Sequence, residues 1–203
     1  MKEVQDYYFK KAKKEGYPAR SVYKLEEAQE KHHLLKKGDK ILDLGCQPGS
    51  WSMYAAQVIG PQGLVVGVDL NFGQVRTKGN SARFIFLHGD VMEEGVRTKI
   101  RELCPLYDVI ISDMAPRTTG NKWADQQQSL ALSRMVLEVA GELLKESGNF
   151  YCKVFEGEDF KEFVDEVRRR FKTTKIVKPK SSRSESREVF VLGLGLKKMW
   201  NEE

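Results

Sequence analysis

An α/β fold with a doubly wound, seven-stranded, mostly parallel sheet is predicted by three features of this 203-residue chain. The first is the stretch 41–51, ILDLGCQPGSW, where an apolar strand runs straight into a tight glycine-proline-glycine turn and then a helix. The second is that apolar runs of strand length alternate with amphipathic stretches of helix length. The third is that acids lie on or just after three successive apolar runs, at Asp43, Asp69 and Asp90. Short connections with right-handed crossovers turn such an alternation into a parallel sheet with helices on both faces.

The elements follow in order. Ser21 can cap a helix whose apolar stripe is Val22, Leu25, Ala28 and Leu35, with Lys24 off that stripe. The first strand spans 40–44; Ile41, Leu42 and Leu44 suit a strand covered on both faces. A helix over about 51–58 leads to strands at 64–68 and 83–87, then to a helix near 91–103. The fourth strand, YDVIISD, precedes a long helix over about 125–144 with Leu132, Met135, Val136, Val139 and Leu143 at helical spacing. A fifth strand covers 149–155, and Phe160, Phe163, Val164, Val167 and Phe171 mark another amphipathic helix. Strands at 173–177 and 188–196 close the chain as a hairpin-like return, which supplies the one antiparallel strand. The polar loop between them, KPKSSRSESRE, reads either as a mobile surface loop or as an RNA-contacting one.

The glycine turn is the first candidate site. Gly45 and Gly49 allow backbone to approach a ligand more closely than a β-carbon would permit. Their G-x-x-x-G spacing is neither a G-x-G-x-x-G dinucleotide fingerprint nor a P-loop. An acid such as Asp69 after the second strand can take both hydroxyls of a ribose, and Asp90 after the third can read an adenine edge. Asp43, Gly45, Pro48, Gly49, Asp69 and Asp90 are therefore the cofactor-binding candidates. The bland alternative is an ordinary turn between strand and helix. The three acids in order resemble the S-adenosylmethionine (SAM) methyltransferase fold, which implies SAM as cofactor.

Length fits one domain over 1–203, with 1–38 as a basic, aromatic helical extension packed on it and helping to bind RNA. No apolar run has membrane-spanning length and the polar start has no signal-peptide core, so a cytoplasmic protein without membrane contact is expected. Cys46, Cys104 and Cys152 are odd in number, far apart and never C-x-x-C, which predicts reduced thiols and no metal site. The net charge of +5 is unevenly spread. Residues 1–40 carry eleven Lys/Arg against seven Asp/Glu, residues 168–188 carry nine against two, and the remainder is acidic. Tyr7, Tyr8, Phe9, Tyr17 and Tyr23 interleave with the first basic run. Cations with interspersed aromatics suit phosphate neutralisation and base stacking, which points to a nucleic-acid partner; a solvated lysine-rich face is the alternative.

The crevice of an open α/β sheet lies at the carboxyl ends of its strands. Asp113 stands there in SDMAP, Lys153 lies inside the apolar strand YCKVF, and Glu188 opens the last strand. A lysine within a buried strand is costly unless paired with an acid. Asp113 and Glu188 are within reach of Lys153 in this topology, and Lys24 can enter from the amino-terminal helix. An edge lysine reaching solvent along its own stem is the alternative for Lys153; Lys24 or Glu188 taken singly reads as a surface charge.

The segments RSVYKLEE, ILDLGCQPGSW, GVDL, GDV, ISDMAP, YCKVF and SRSESREVFVL, in this order, closely resemble the FtsJ/RrmJ family of RNA ribose 2′-O-methyltransferases. The resemblance covers nearly the whole chain. It implies that Lys24, Asp113, Lys153 and Glu188 are catalytic, and that SAM is contacted by Gly49, Trp51, Asp69, Asp90 and Asp113. The chain departs from the family's usual two alanines and second glycine at Cys46, Gln47 and Ser50, whose larger side chains crowd the cofactor loop. Lys153 would take the central role, either as general base or as a cation stabilising the developing alkoxide. The compact length is similar to bacterial members that modify a uridine of 23S large-subunit ribosomal RNA in the ribosomal particle, and a monomer is expected. Transfer RNA or another RNA as substrate, a silent ribosome-assembly factor, and a protein or small-molecule methyltransferase are the other readings.

Overall fold

Seven runs rich in Val, Ile, Leu and Phe need partners on both faces, and the chain supplies them by winding helices alternately over a single sheet. The computed structural model describes residues 2–198 apart from 78 and 184, and the side chains from residue 7 onward. The ends of the expected single domain, residues 1 and 199–203, lie outside the described residues. The elements are α1 (Lys2–Glu15), α2 (Val22–His32), β1 (Lys40–Leu44), α3 (Ser50–Ile59), β2 (Leu64–Asp69), β3 (Arg83–His88), α4 (Glu94–Leu103), β4 (Tyr107–Ser112), α5 (Lys122–Leu143), β5 (Leu144–Phe155), α6 (Phe160–Arg170), β6 (Phe171–Val177) and β7 (Glu188–Leu196). The sheet order is β3-β2-β1-β4-β5-β7-β6. β7 is antiparallel to both its neighbours and the other pairings are parallel, as expected.

The period of two along each strand divides the core. Leu42, Leu44, Ile110, Phe150, Cys152 and Val154 face one way, onto the buried residues of α4, α5 and α6. Ile41, Val65, Ile111, Tyr151 and Phe190 face the other way, onto Leu25 and Ala28 of α2 and Ala55, Ala56 and Ile59 of α3. α1 joins at Ala12, packed with Val22 and Tyr23. The extension is thus anchored through α2 to the sheet face that carries Lys153.

Element limits differ from expectation where tertiary contacts override local pattern. Phe171, placed on a helix by its spacing, is the first residue of β6 and is buried against Phe150. β5 begins at Leu144, five residues earlier than expected, because Tyr107 pairs with Leu144 across a register shift before regular pairing resumes at Val109 and Asn149. α5 starts at Lys122, since Asn121 caps it by accepting from the Trp123 and Ala124 N–H groups. Ser21 occupies the N-cap of α2 without a side-chain capping bond. Cys46, Cys104 and Cys152 are buried and unpaired, and burial pushes the Cys46 and Cys152 thiols up, so they pack as small apolar groups. Among the described residues no helix is long and apolar enough to cross a membrane.

Candidate active site

Strand register brings the charged candidates to one edge. β4 ends at Ser112, paired with Cys152 of β5, so Asp113 leaves the sheet beside Lys153. β7 runs in the opposite direction, which places its first residue, Glu188, opposite Phe155 at the carboxyl edge of the parallel strands. Phe190 lies opposite Lys153 in the same ladder, so Lys153 shares the sheet face that α2 covers. α2 completes the group with Lys24. All four predicted catalytic residues are therefore together.

They form a closed ring of alternating charge. Lys24 Nζ lies 2.8 Å from the Glu188 carboxylate and 3.4 Å from Asp113 Oδ1. Lys153 Nζ lies 2.9 Å from the same Asp113 oxygen and 3.8 Å from Glu188 Oε2. Lys153 also donates to the main-chain carbonyl of Asp113. It is only 6% exposed, so its charge requires this compensation. Burial alone would push the Glu188 carboxyl up. The two ammonium groups, with hydrogen bonds from Lys24 and Ser182, outweigh burial and hold it below the usual carboxylate range.

Several neighbours brace the ring. Ser182 Oγ donates to Glu188 Oε1 at 3.0 Å, and the Tyr151 hydroxyl donates to the Lys24 carbonyl at 3.3 Å. The Lys24 ammonium lies 5.4 Å from the centre of the Phe190 ring. The basic loop that carries Ser182 is tied to α2, because Lys180 N–H donates to Glu27 Oε2 at 2.8 Å and Arg20 donates to the Ser181 carbonyl at 3.4 Å. Below these groups Trp51 stacks on Tyr151, at 5.6 Å between ring centres, and its Nε1 donates to the Ser21 carbonyl at 2.8 Å.

Asp113 also borders a cavity of about 700 Å³, formed where β1, β2, β3 and β4 end against α5. Gly45, Asp69, Asp90 and Asp113, four of the eight cofactor-binding candidates, line it. Asp69 Oδ2 accepts from Gln47 N–H at 2.9 Å, its Oδ1 accepts from Asn71 N–H at 2.7 Å, and Asp90 Oδ1 accepts from Met92 N–H at 2.9 Å. Gly45 has φ +76°, and a β-carbon there would stand 2.2 Å from Met114 Cγ, so glycine is required on both counts.

The other four candidates are placed differently. Asp43 is fully buried behind the loop and accepts from Ser52 Oγ at 2.6 Å. Burial, with the nearby Asp113 and Asp69 carboxylates, pushes the Asp43 carboxyl up to about 7. Pro48 is exposed at the turn, and Gly49, at φ 103°, begins α3 beneath Val75. The Trp51 side chain is buried, stacks on Tyr151 beside the charge ring and is not part of the cavity lining.

Sequence reasoning missed part of the cavity wall. Gln47, Met92, Met114 and Gln128 line it, as do Leu132 and Met135 of the α5 stripe, of which Met135 also packs against the core. Val136, Val139 and Leu143 of that stripe are buried, whereas Leu132 and Met135 are half-exposed and turn toward the cavity. The available signal was position: these two lie on α5 above the end of β4, where a stripe overhangs the crevice.

Residues 17–196 match the model of a family described as FtsJ-like methyltransferase. The chain belongs to the FtsJ-like methyltransferase family. A ribosomal RNA large subunit methyltransferase E from Desulfotalea psychrophila is 52% identical over 198 residues, covering 98% of each protein. One of the same name from Brachyspira hyodysenteriae is 45% identical, covering 98% of this chain and 100% of the relative. Among solved structures, a putative ribosomal RNA methyltransferase from Plasmodium falciparum superimposes with a TM-score of 0.75 at 25% identity, covering 89% of this chain and 98% of that one. Fibrillarin from Aeropyrum pernix, solved with natively bound SAM, shares the fold with a TM-score of 0.58 at 18% identity, covering 86% and 76%.

The cavity residues of this FtsJ-like methyltransferase fit SAM, the ligand of the fibrillarin structure. The cavity has the volume of a small-molecule site. Its acids can accept from ribose hydroxyls and amines, and the apolar Leu70, Val91 and Met92 flank them. Gln47 adds a buried Nε2 that has no partner among the described residues, a donor left for a ligand.

Proposed function

We propose that the chain transfers the methyl group of SAM to a ribose 2′-hydroxyl of large-subunit ribosomal RNA, on a uridine within the ribosomal particle in the cytoplasm. The observation that carries this reading is the Lys24–Asp113–Lys153–Glu188 ring, which meets the cofactor cavity at Asp113. The names of the bacterial relatives support the ribosomal substrate.

A ribose hydroxyl is a weak nucleophile that must be oriented and relieved of its proton. When bound, SAM supplies an electrophilic methyl on a sulfonium; the protein supplies the rest. Holding the hydroxyl against the methyl contributes roughly 7–11 kcal/mol of the barrier lowering. An ammonium has three donors, and Lys153 directs two of them at the carbonyl and carboxylate of Asp113. The third is left for the substrate oxygen. Lys153, paired with two carboxylates, then stabilises the charge that develops on the hydroxyl oxygen while the hydroxyl proton passes to solvent water, and this pairing favours the electrostatic role over the general base. Asp113 holds Lys153 and faces the cofactor cavity, while Lys24 and Glu188 orient the ribose. Asp69, Asp90 and the glycine turn hold the cofactor.

The RNA backbone is met by cations on both sides of the ring. α1 ends in Lys13 and Lys14, and the exposed loop before β7 carries Lys178, Lys180 and Arg183. Tyr7 and Phe9, 60% and 61% exposed, are available for stacking. All four ring residues come from one chain, which supports action as a monomer. The test is methyl transfer from labelled SAM to ribosomal particles and to deproteinised RNA that lack the modification, followed by nuclease digestion. A labelled 2′-O-methyluridine is expected; label on protein, or on a base rather than a ribose, would sink the reading.

A further inference from the structure

Trp123 is 64% exposed, unusual for the largest apolar side chain. Its setting makes the exposure purposeful. It occupies the first turn of α5, whose N-terminus is fixed by Asn121 Oδ1, which accepts from the Trp123 and Ala124 N–H groups at 3.1 Å. The preceding loop is clasped by Asp125, which accepts from Thr119 N–H at 2.7 Å, Thr119 Oγ1 at 2.9 Å and Gly120 N–H at 3.2 Å. Arg187 joins this turn to the active site. Its guanidinium donates to the Lys122 carbonyl at 2.9 Å and to the Glu156 carbonyl, and its own backbone continues into Glu188. Trp123 is thus one residue from a carbonyl held by the immediate neighbour of a ring carboxylate. Exposed Lys122 precedes it in the chain, and the SDMAP segment leads from Asp113 through exposed Arg117 to the same loop.

We propose that Trp123 is a stacking platform for an unpaired base next to the methylated nucleotide, and so a positioning residue for the RNA. This rests on the RNA reading above. A flat indole on a braced helix turn costs little conformational entropy when it binds, and stacking on it accepts any base that is free of its pair. The flanking cations hold the phosphates on either side of that base. The site therefore selects a ribose in a locally opened strand over one in a continuous duplex.

The test compares the parent chain with Trp123→Ala and Trp123→Phe on an RNA fragment carrying 2-aminopurine beside the target nucleotide. Trp123→Ala is expected to raise KM for RNA on the order of tenfold, the size of one lost base stack, with SAM affinity and thermal stability unchanged. Trp123→Phe should recover most of that loss. Quenching of the 2-aminopurine on binding should be strong with the parent, weaker with Phe and lost with Ala. Parental KM and parental quenching in Trp123→Ala would overturn the inference alone, leaving the RNA reading intact. No transfer to RNA by the parent chain would overturn that reading and this inference with it.

Discussion

The two sides of Asp113 handle buried acid in opposite ways. On the sheet face covered by α2, Asp113 and Glu188 are matched by Lys24 and Lys153, every ion contact lies within 3.8 Å, and Glu188 is held below the usual carboxylate range. On the cofactor side, Asp43, Asp69 and Asp90 form no ion pair among the described residues, and Asp43 is pushed up to about 7. One region is complete in the protein alone. The other is acidic, open and provided with a Gln47 amide nitrogen that is unpartnered among the described residues, and a ligand such as SAM, with a sulfonium charge and hydrogen-bond donors, would complete it. The geometry of the charge ring is fixed before substrate arrives, whereas the stability of the cofactor side depends on its occupant.

Removing a cation from the complete side should have the largest effect. Lys153→Ala is expected to lower kcat by about 10³-fold, because a positioned donor to the developing charge is lost in a dry site. Lys24 stays 3.4 Å from Asp113 and limits the structural cost, so SAM affinity by calorimetry should stay near the parent value. Turnover like that of the parent would break the division between the two sides.

The unpaired side predicts a pH dependence of stability with a definite sign. Asp43 binds its proton with a value near 7 when folded and an ordinary carboxylate value when unfolded. Between those values the folded state holds more protons, so this group favours folding at low pH and loses that contribution as pH rises through 7. Its share is about 3 kcal/mol between pH 5 and pH 8. Asp43→Asn should abolish that share, flattening the denaturation profile; an unchanged profile would show that Asp43 is compensated by a group other than Ser52. Glu188 has the opposite sign: its contribution persists at neutral pH and fades only as pH falls below the ordinary carboxylate range.

Gly45→Ala attacks the cavity sterically. The new methyl would stand 2.2 Å from Met114 Cγ at a φ of +76°, so either the loop or Met114 must move into the cavity. SAM affinity should fall on the order of ten- to a hundredfold, a cost of about 1–3 kcal/mol. The charge ring should keep its geometry, seen as unchanged single-turnover rates at saturating SAM; equal losses in both would show the two sides to be one unit.

The difference between the sides also explains what the sequence could reveal. A lysine within YCKVF requires an acid, and parallel order fixes which acids are near, so Lys153, Asp113 and Glu188 were legible from burial and topology. The strand-end acids Asp69 and Asp90 were legible from the fold. The place of the Trp51 side chain was not: an aromatic after a glycine turn suits a cavity wall as well as a core pillar, and its stacking on Tyr151 and Phe190 is a long-range contact. Leu132 and Met135 share a helical stripe with true core residues, and spacing does not report that the helix overhangs a crevice. β5 began early and Phe171 joined a strand for the same kind of reason, since pairing with Tyr107 and packing on Phe150 are long-range events that local pattern does not carry.

The smallest expected effect probes how rigid the complete side is. Ser182 sits in a polar loop whose composition alone would suggest mobility, yet its hydroxyl donates to Glu188 Oε1 at 3.0 Å and the loop is tied to α2 through Glu27 and Arg20. Ser182→Ala removes one hydrogen bond to a charged group while leaving the Lys24 contact to Glu188 at 2.8 Å. If Ser182 orients Glu188, kcat should fall roughly fivefold, about 1 kcal/mol, with SAM affinity unchanged. Ser182→Thr, which keeps the hydroxyl, should restore the rate. A loss that appeared only in KM for RNA, and that Thr failed to rescue, would assign the loop to backbone contact with the substrate and leave the charge ring rigid without it.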